Sequence, residues 1–149
     1  MSNEEIVLRL GVATFAGVLL GLDRELRGIA AGIRTHALVA LSSALITVSA
    51  MMIHEDFTRQ GHSGVDPLRV VQGLAQAVGF VAAGAIFFAK GTVHNLTSAA
   101  NIWLAAAVGI VAGAGQMVLV VAGVGIGIAV LTLVRVLEKA VPGTTKSDD

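Results

Sequence analysis

Asp, Glu, Lys and Arg are missing from four stretches of this 149-residue chain: 10–22, 35–54, 70–89 and 91–134. A helix rises about 1.5 Å per residue, so a hydrocarbon core about 30 Å thick takes roughly 20 apolar residues, with about 17 as the working minimum. The second and third gaps each accommodate one spanning helix, at 35–53 and 68–89. The first is extended by apolar residues before it, giving a span over 6–22 with Arg9 reaching toward the interface. Asp66-Pro67 opens the third span, because Asp caps a helix and Pro at the first position gives up an N–H that has no helical partner anyway. The last gap is too long for one span. Gly113-Ala114-Gly115-Gln116 breaks it into a short span over 98–112 and a longer one over 117–136, the shorter having a helical hairpin or partly re-entrant segment as its alternative. The reading is therefore an all-α, polytopic transmembrane helix bundle of about five spans, as one membrane domain over 1–142 with a disordered polar tail over 143–149.

Composition agrees with that pattern: hydrophobic residues make up 55%, charged residues 13%, and the mean hydropathy is +0.83. Formal net charge is zero, so no global excess of charge argues for nucleic acid. Position is what matters. With five spans, Arg24, Arg27, Arg34, Lys90, Arg135, Lys139 and Lys146 share one side, and Arg9, Arg59 and Arg69 the other. Seven against three directs the first set to the cytoplasm, leaving the N-terminus and the loop 53–67 outside and the C-terminus inside. The start is acidic, so the first apolar stretch is expected to be retained and not cleaved as a signal peptide.

The absence of cysteine removes thiolate catalysis and thiolate metal sites. No Walker A loop, His-Glu-x-x-His helix or nucleophile elbow is present, so the chain is read as non-enzymatic, with no cofactor and no metal. His54, Glu55, Asp56, His62 and Asp66 superficially resemble a divalent-ion site, but the glycines among them indicate a flexible solvated loop without a fixed second shell. Small residues at four-residue spacing (Ala13, Gly17 and Gly21; Gly79 and Ala83; Ala105, Gly109 and Gly113; Gly123 and Gly127) suit close helix packing, within one copy or across a homo-oligomer.

Two polar groups stand out. Arg69, Gln72 and Gln76 share a helical face by their spacing and are expected to point inward, either lining a polar cavity with Asn101 or hydrogen-bonding neighbouring helices. The segment 21–35 carries Asp23, Arg24, Glu25, Arg27 and Arg34 and ends at Thr35. It serves either as a topology anchor on lipid headgroups or as a binding surface for an anionic ligand or a partner protein.

Two stretches, GVLLGLDRELRGIAAGIRTHALV over 17–39 and DPLRVVQGLAQAVGFVAAGAIFFAKGTVHNLTSAANIWLAAAVGIVAGAG over 66–115, together resemble the MgtC/SapB family of bacterial membrane proteins. Asp23, Arg24, Arg27, Gly32, Arg34 and Thr35 match the first motif, and Asp66, Arg69, Gly79, Gly84, Thr97, Ala99, Ala100 and Trp103 the second. The resemblance implies a multi-pass protein of the bacterial inner membrane, linked to growth under magnesium limitation and to survival in host phagocytes. It implies a regulator more than a transporter, with the membrane ATP synthase as the kind of partner involved. His94-Asn95 departs from the family's Arg-Gly pair, Ala82-Ala83-Gly84 from its glycine-rich turn, and the soluble C-terminal domain of many members is not expected after Pro142. The runner-up is a minimal oligomeric transporter or channel-like subunit for an ion or small solute, using Arg69, Gln72, Gln76 and Asn101.

Overall fold

The computed structural model describes residues 1–140 apart from 63, 65, 90 and 91. Five helices follow in order: α1 (Asn3–Leu26), α2 (Ile33–Arg59), α3 (Leu68–Ala85), α4 (Leu96–Gly113) and α5 (Met117–Ala140), each long and apolar enough to cross a bilayer. Two three-residue strands, β1 (Phe87–Ala89) and β2 (Thr92–His94), pair antiparallel between α3 and α4 with Phe87 opposite His94. The expected tail, 143–149, and Lys90 lie outside the described residues.

Helix ends follow from the local sequence. Ser2 accepts from the Glu5 amide at 3.2 Å to start α1, and Asp66 accepts from the Leu68 amide at 2.9 Å to start α3. Helices α1, α2 and α4 close on the same device. The amides of Ile29, His62 and Gln116 reach back five residues, those of Gly28, Gly61 and Gly115 reach back three, and each of these glycines has a positive φ. The second span is longer than the uncharged run: α2 continues to Arg59, so His54, Glu55 and Asp56 ride on a helix and not in a loop. An Arg59–Glu55 pair at 2.5 Å and a Thr58 hydroxyl bond to the His54 carbonyl at 2.8 Å support that last turn.

α1, α2 and α4 form the centre. A Cβ on Gly17 would stand 2.5 Å from the His36 carbonyl oxygen, and one on Gly21 2.7 Å from the Ile33 Cα, so α1 lies directly on the α2 backbone. Gly109 and Gly113 do the same from α4 against Ala40 and Ala44. Those contacts need glycine because a Cβ would overlap the facing backbone, and close approach supplies attraction between helices that have no hydrophobic drive to meet in lipid. The fourth span, the shortest by sequence, is a continuous helix with 56% of its span buried, against 17% for α3 and for α5. It is thus the central helix, unbroken and long enough to cross a bilayer. α5 leans on α4 through Gly127, whose Cβ would meet Leu104 at 2.6 Å. α3 is held by Leu74, Val78 and Ala82, of which Val78 and Ala82 pack with Ala99, Ile102 and Ala106 of α4.

Candidate functional site

The last turn of α1, the turn 27–32, the first turns of α2 and α4, and the last turns of α5 meet at one end of the bundle. Helical spacing puts Leu20 and Arg24 on one face of α1, and Ser98 and Asn101 on one face of α4. Packing α1 onto α2 through Gly17 and Gly21 then draws His36 between them. Arg24, His36, Ser98 and Asn101 are all buried, with 3%, 0%, 0% and 3% exposure. A guanidinium that far from solvent persists only with its hydrogen bonds made.

The bonds form a connected set. Arg24 donates from its terminal nitrogen to the Ser98 hydroxyl, and its Nε points at the Ala30 carbonyl 3.5 Å away. His36 Nδ1 lies 2.9 Å from the Gly32 carbonyl, and its Nε2 lies 2.9 Å from Asn101 Nδ2. Since the carbonyl only accepts, the proton sits on Nδ1, and Nε2 accepts from the amide. The second Asn101 amide hydrogen goes to the Leu20 carbonyl at 3.0 Å. Asn101 Oδ1 is buried and lacks a hydrogen-bond partner among the described residues. Asn101 also lines a groove of about 420 Å³ between α4 and α5, whose other walls include Leu104, Ile126 and Val130.

A second ring surrounds this junction. Asp23 accepts from Arg135 of α5 through both carboxylate oxygens, at 2.9 and 2.6 Å, and from Arg27 at 3.2 Å. Glu25 accepts from the Ile33 amide at 3.0 Å, placing a carboxylate at the N-terminus of α2, where the helix dipole favours it. A side chain on Gly32 would meet that carboxylate and turn it away from the Ile33 amide. Ala31 takes φ 59°, a conformation that disfavours a Cβ, in the turn held between these contacts.

The charged segment therefore divides. Arg24 belongs to the buried junction, Asp23 to an inter-helix clamp, Arg27 and Arg34 remain exposed, and Thr35 is half-buried. The expected inward polar face does not form within one copy. Asn101 lies in the junction, while Arg69, Gln72 and Gln76 are exposed on the outer side of α3. The reason is packing: the opposite stripe of α3, Leu74, Val78 and Ala82, is the one that fits α4. Arg9 likewise does not simply reach for the interface. Its side chain is 12% exposed and donates to the Gly113 carbonyl at 2.8 Å and to Glu5 at 2.5 Å, capping α4.

His36 and Ser98 were not singled out by sequence, and Arg135 only as a topological charge. Ser98 and Asn101, three residues apart at the start of a span, were the available signal, but neither names its partner across the bundle. Asn95, which stands where the resembled family has glycine, takes a left-handed φ of 66° and donates from its side chain to the Ala85 carbonyl at 3.1 Å. Asn tolerates that conformation better than other side chains, so the departure keeps the backbone shape.

These features define a multi-pass helical membrane protein with a buried polar junction at one end. The chain belongs to the MgtC family, whose family model matches residues 10–140. It is 37% identical over 114 residues to the Escherichia coli protein named "Putative magnesium transporter YhiD", covering 76% of this chain and 53% of that one. Protein SapB of Bacillus subtilis is 36% identical over 114 residues, covering 76% and 49%. Protein MgtC of Salmonella typhimurium is 34% identical over 110 residues, covering 74% and 44%. The chain spans about half the length of these curated relatives, and none of the three names is an enzyme's. No solved structure matches the chain.

Proposed function

We propose that this chain is a non-catalytic regulatory protein of the bacterial inner membrane, serving adaptation to low magnesium by binding another membrane protein through the rim of its charged turn. The observation that supports this is the division of the arginines. Arg24 is committed to the interior, whereas Arg27 and Arg34 remain exposed on a turn whose two ends are fastened by the Arg24–Ser98 and Glu25–Ile33 bonds. The backbone that carries these two arginines is pre-ordered, so it loses little freedom when they meet carboxylates of a partner. The basic excess at this end favours the cytoplasmic side, and the membrane ATP synthase is the partner that the family resemblance suggests.

The test is co-reconstitution with purified ATP synthase in vesicles. ATP-driven proton pumping should slow in the presence of the protein, and the Arg27→Ala/Arg34→Ala variant should restore it while keeping the parent's thermal midpoint. Equal slowing by both would remove the turn from the proposal.

Transport of magnesium is the second reading, favoured by the name of the YhiD relative and by the free Asn101 carbonyl oxygen. Electrostatics weighs against a cation path there, because a buried guanidinium lines the same junction and Mg²⁺ requires about six oxygens, usually with carboxylates among them. Magnesium flux into vesicles holding this protein alone, abolished by Asn101→Leu, would replace the first reading with the second.

A further inference from the structure

α3 presents two opposite stripes. Leu74, Val78 and Ala82 face the bundle; Arg69, Gln72, Gly73, Gln76, Phe80 and Ala83 are exposed, and at about 100° per residue they centre on the far side of the helix. Phe80 is 84% exposed. Gln76 lies eight residues into an 18-residue helix, so at about 1.5 Å per residue its amide sits roughly 12 Å along, near the middle of a span. Gln72 is one turn above it. Lipid tails offer an amide neither donor nor acceptor, and polar side chains at that depth ordinarily face protein. This face therefore needs a cover that supplies both hydrogen-bonding roles at two set depths.

We infer that the cover is a second copy of this chain, packed α3 to α3 as a parallel two-fold dimer with Gln72 and Gln76 of each copy hydrogen-bonded across the axis. Two copies inserted with the same topology are related by an axis along the membrane normal, so each residue meets its counterpart at its own depth. An amide carries a donor and an acceptor, and is thus complementary to its own image. Gly73, next to Gln72 and nearly one turn before Gln76, has no atom within 4 Å of where a Cβ would stand, leaving room for a close backbone approach. Arg69, at the head of the helix, meets its own image on that axis, and its long side chain reaches outward to headgroups and water. Hydrogen bonding and shape at the depth of Gln72 to Gln76 are self-matching.

The chain has no cysteine, so a single introduced thiol reports its own neighbour. In native membranes, Gly73→Cys and Phe80→Cys should form disulfide-linked dimers under mild oxidation, while Val118→Cys and Val121→Cys, exposed on α5, should not. In addition, Gln72→Leu/Gln76→Leu should raise the dimer dissociation constant in bilayers by roughly tenfold, with the secondary structure and thermal midpoint of the monomer retained. Cross-linking that is equal on α3 and α5 would overturn the inference. So would α3 thiols captured by a different protein, or a dimer unaffected by the double substitution.

Discussion

Asn101 has two amide hydrogens and uses both, one on the Leu20 carbonyl and one on His36 Nε2, while its oxygen lacks a partner among the described residues. Removing it takes a donor from two buried acceptors but also relieves an unmet acceptor, so the effects oppose. Ser98 has no such offset, since it serves a buried guanidinium. Ser98→Ala is expected to lower stability by about 1.5–3 kcal/mol and Asn101→Leu by about 1–2 kcal/mol. Thermal unfolding in detergent, with the exposed Ser42→Ala as control, measures both. If Ser98→Ala behaves like that control, the Arg24–Ser98 bond contributes nothing. At this scale the sequence was half legible. Arg24 and Asn101 were visible as polar residues near span ends, but the meeting of Arg24 with Ser98 across 74 residues, and of Asn101 with His36 across 65, is not a local property. His36 was invisible because a lone histidine at a span start has no periodic or motif signature.

Among the elements, each glycine's role depends on what faces it. Gly109 opposes the Ala40 backbone, which has no flexible end to swing away. Gly109→Ala should push α4 off α2 and cost about 1–3 kcal/mol. Gly125, in the middle of α5, has nothing within 4 Å of a Cβ, so Gly125→Ala should stabilise by about 0.5–1 kcal/mol. Paired melts of the two variants decide this, and two shifts of the same sign would reject the account. At Gly28 there is open space but φ is +67°, so Gly28→Ala should cost about 1 kcal/mol through backbone strain alone. The five spans were readable from their uncharged runs because exclusion of charge from hydrocarbon is a strong local constraint. The length of α2 was less so: three charged residues end an uncharged run without ending a helix, and Glu55 and Arg59 at i, i+4 pair along it. The β1–β2 hairpin carried no alternating pattern long enough to announce it.

For the whole molecule, the Asp23–Arg135 pair ties the ends of α1 and α5, which otherwise touch little. Both side chains are about one-third exposed, so the pair contributes little to global stability. Asp23→Asn should leave the melting temperature nearly unchanged yet speed hydrogen exchange in the last turns of α5. Unaltered exchange there would show that lipid and apolar packing alone hold the helix. Sequence by itself determined the membrane class, the number of spans and the family. Each of these is written in local exclusion of charge or in motif order. Tertiary structure alone decided that the shortest span is the centre of the bundle, that Arg24 turns inward while Arg27 and Arg34 stay out, and that the glutamine face of α3 looks away from its own bundle. Those outcomes depend on which stripes fit one another. Small residues on three helices let backbones come together, and the polar side chains take whatever positions that contact leaves.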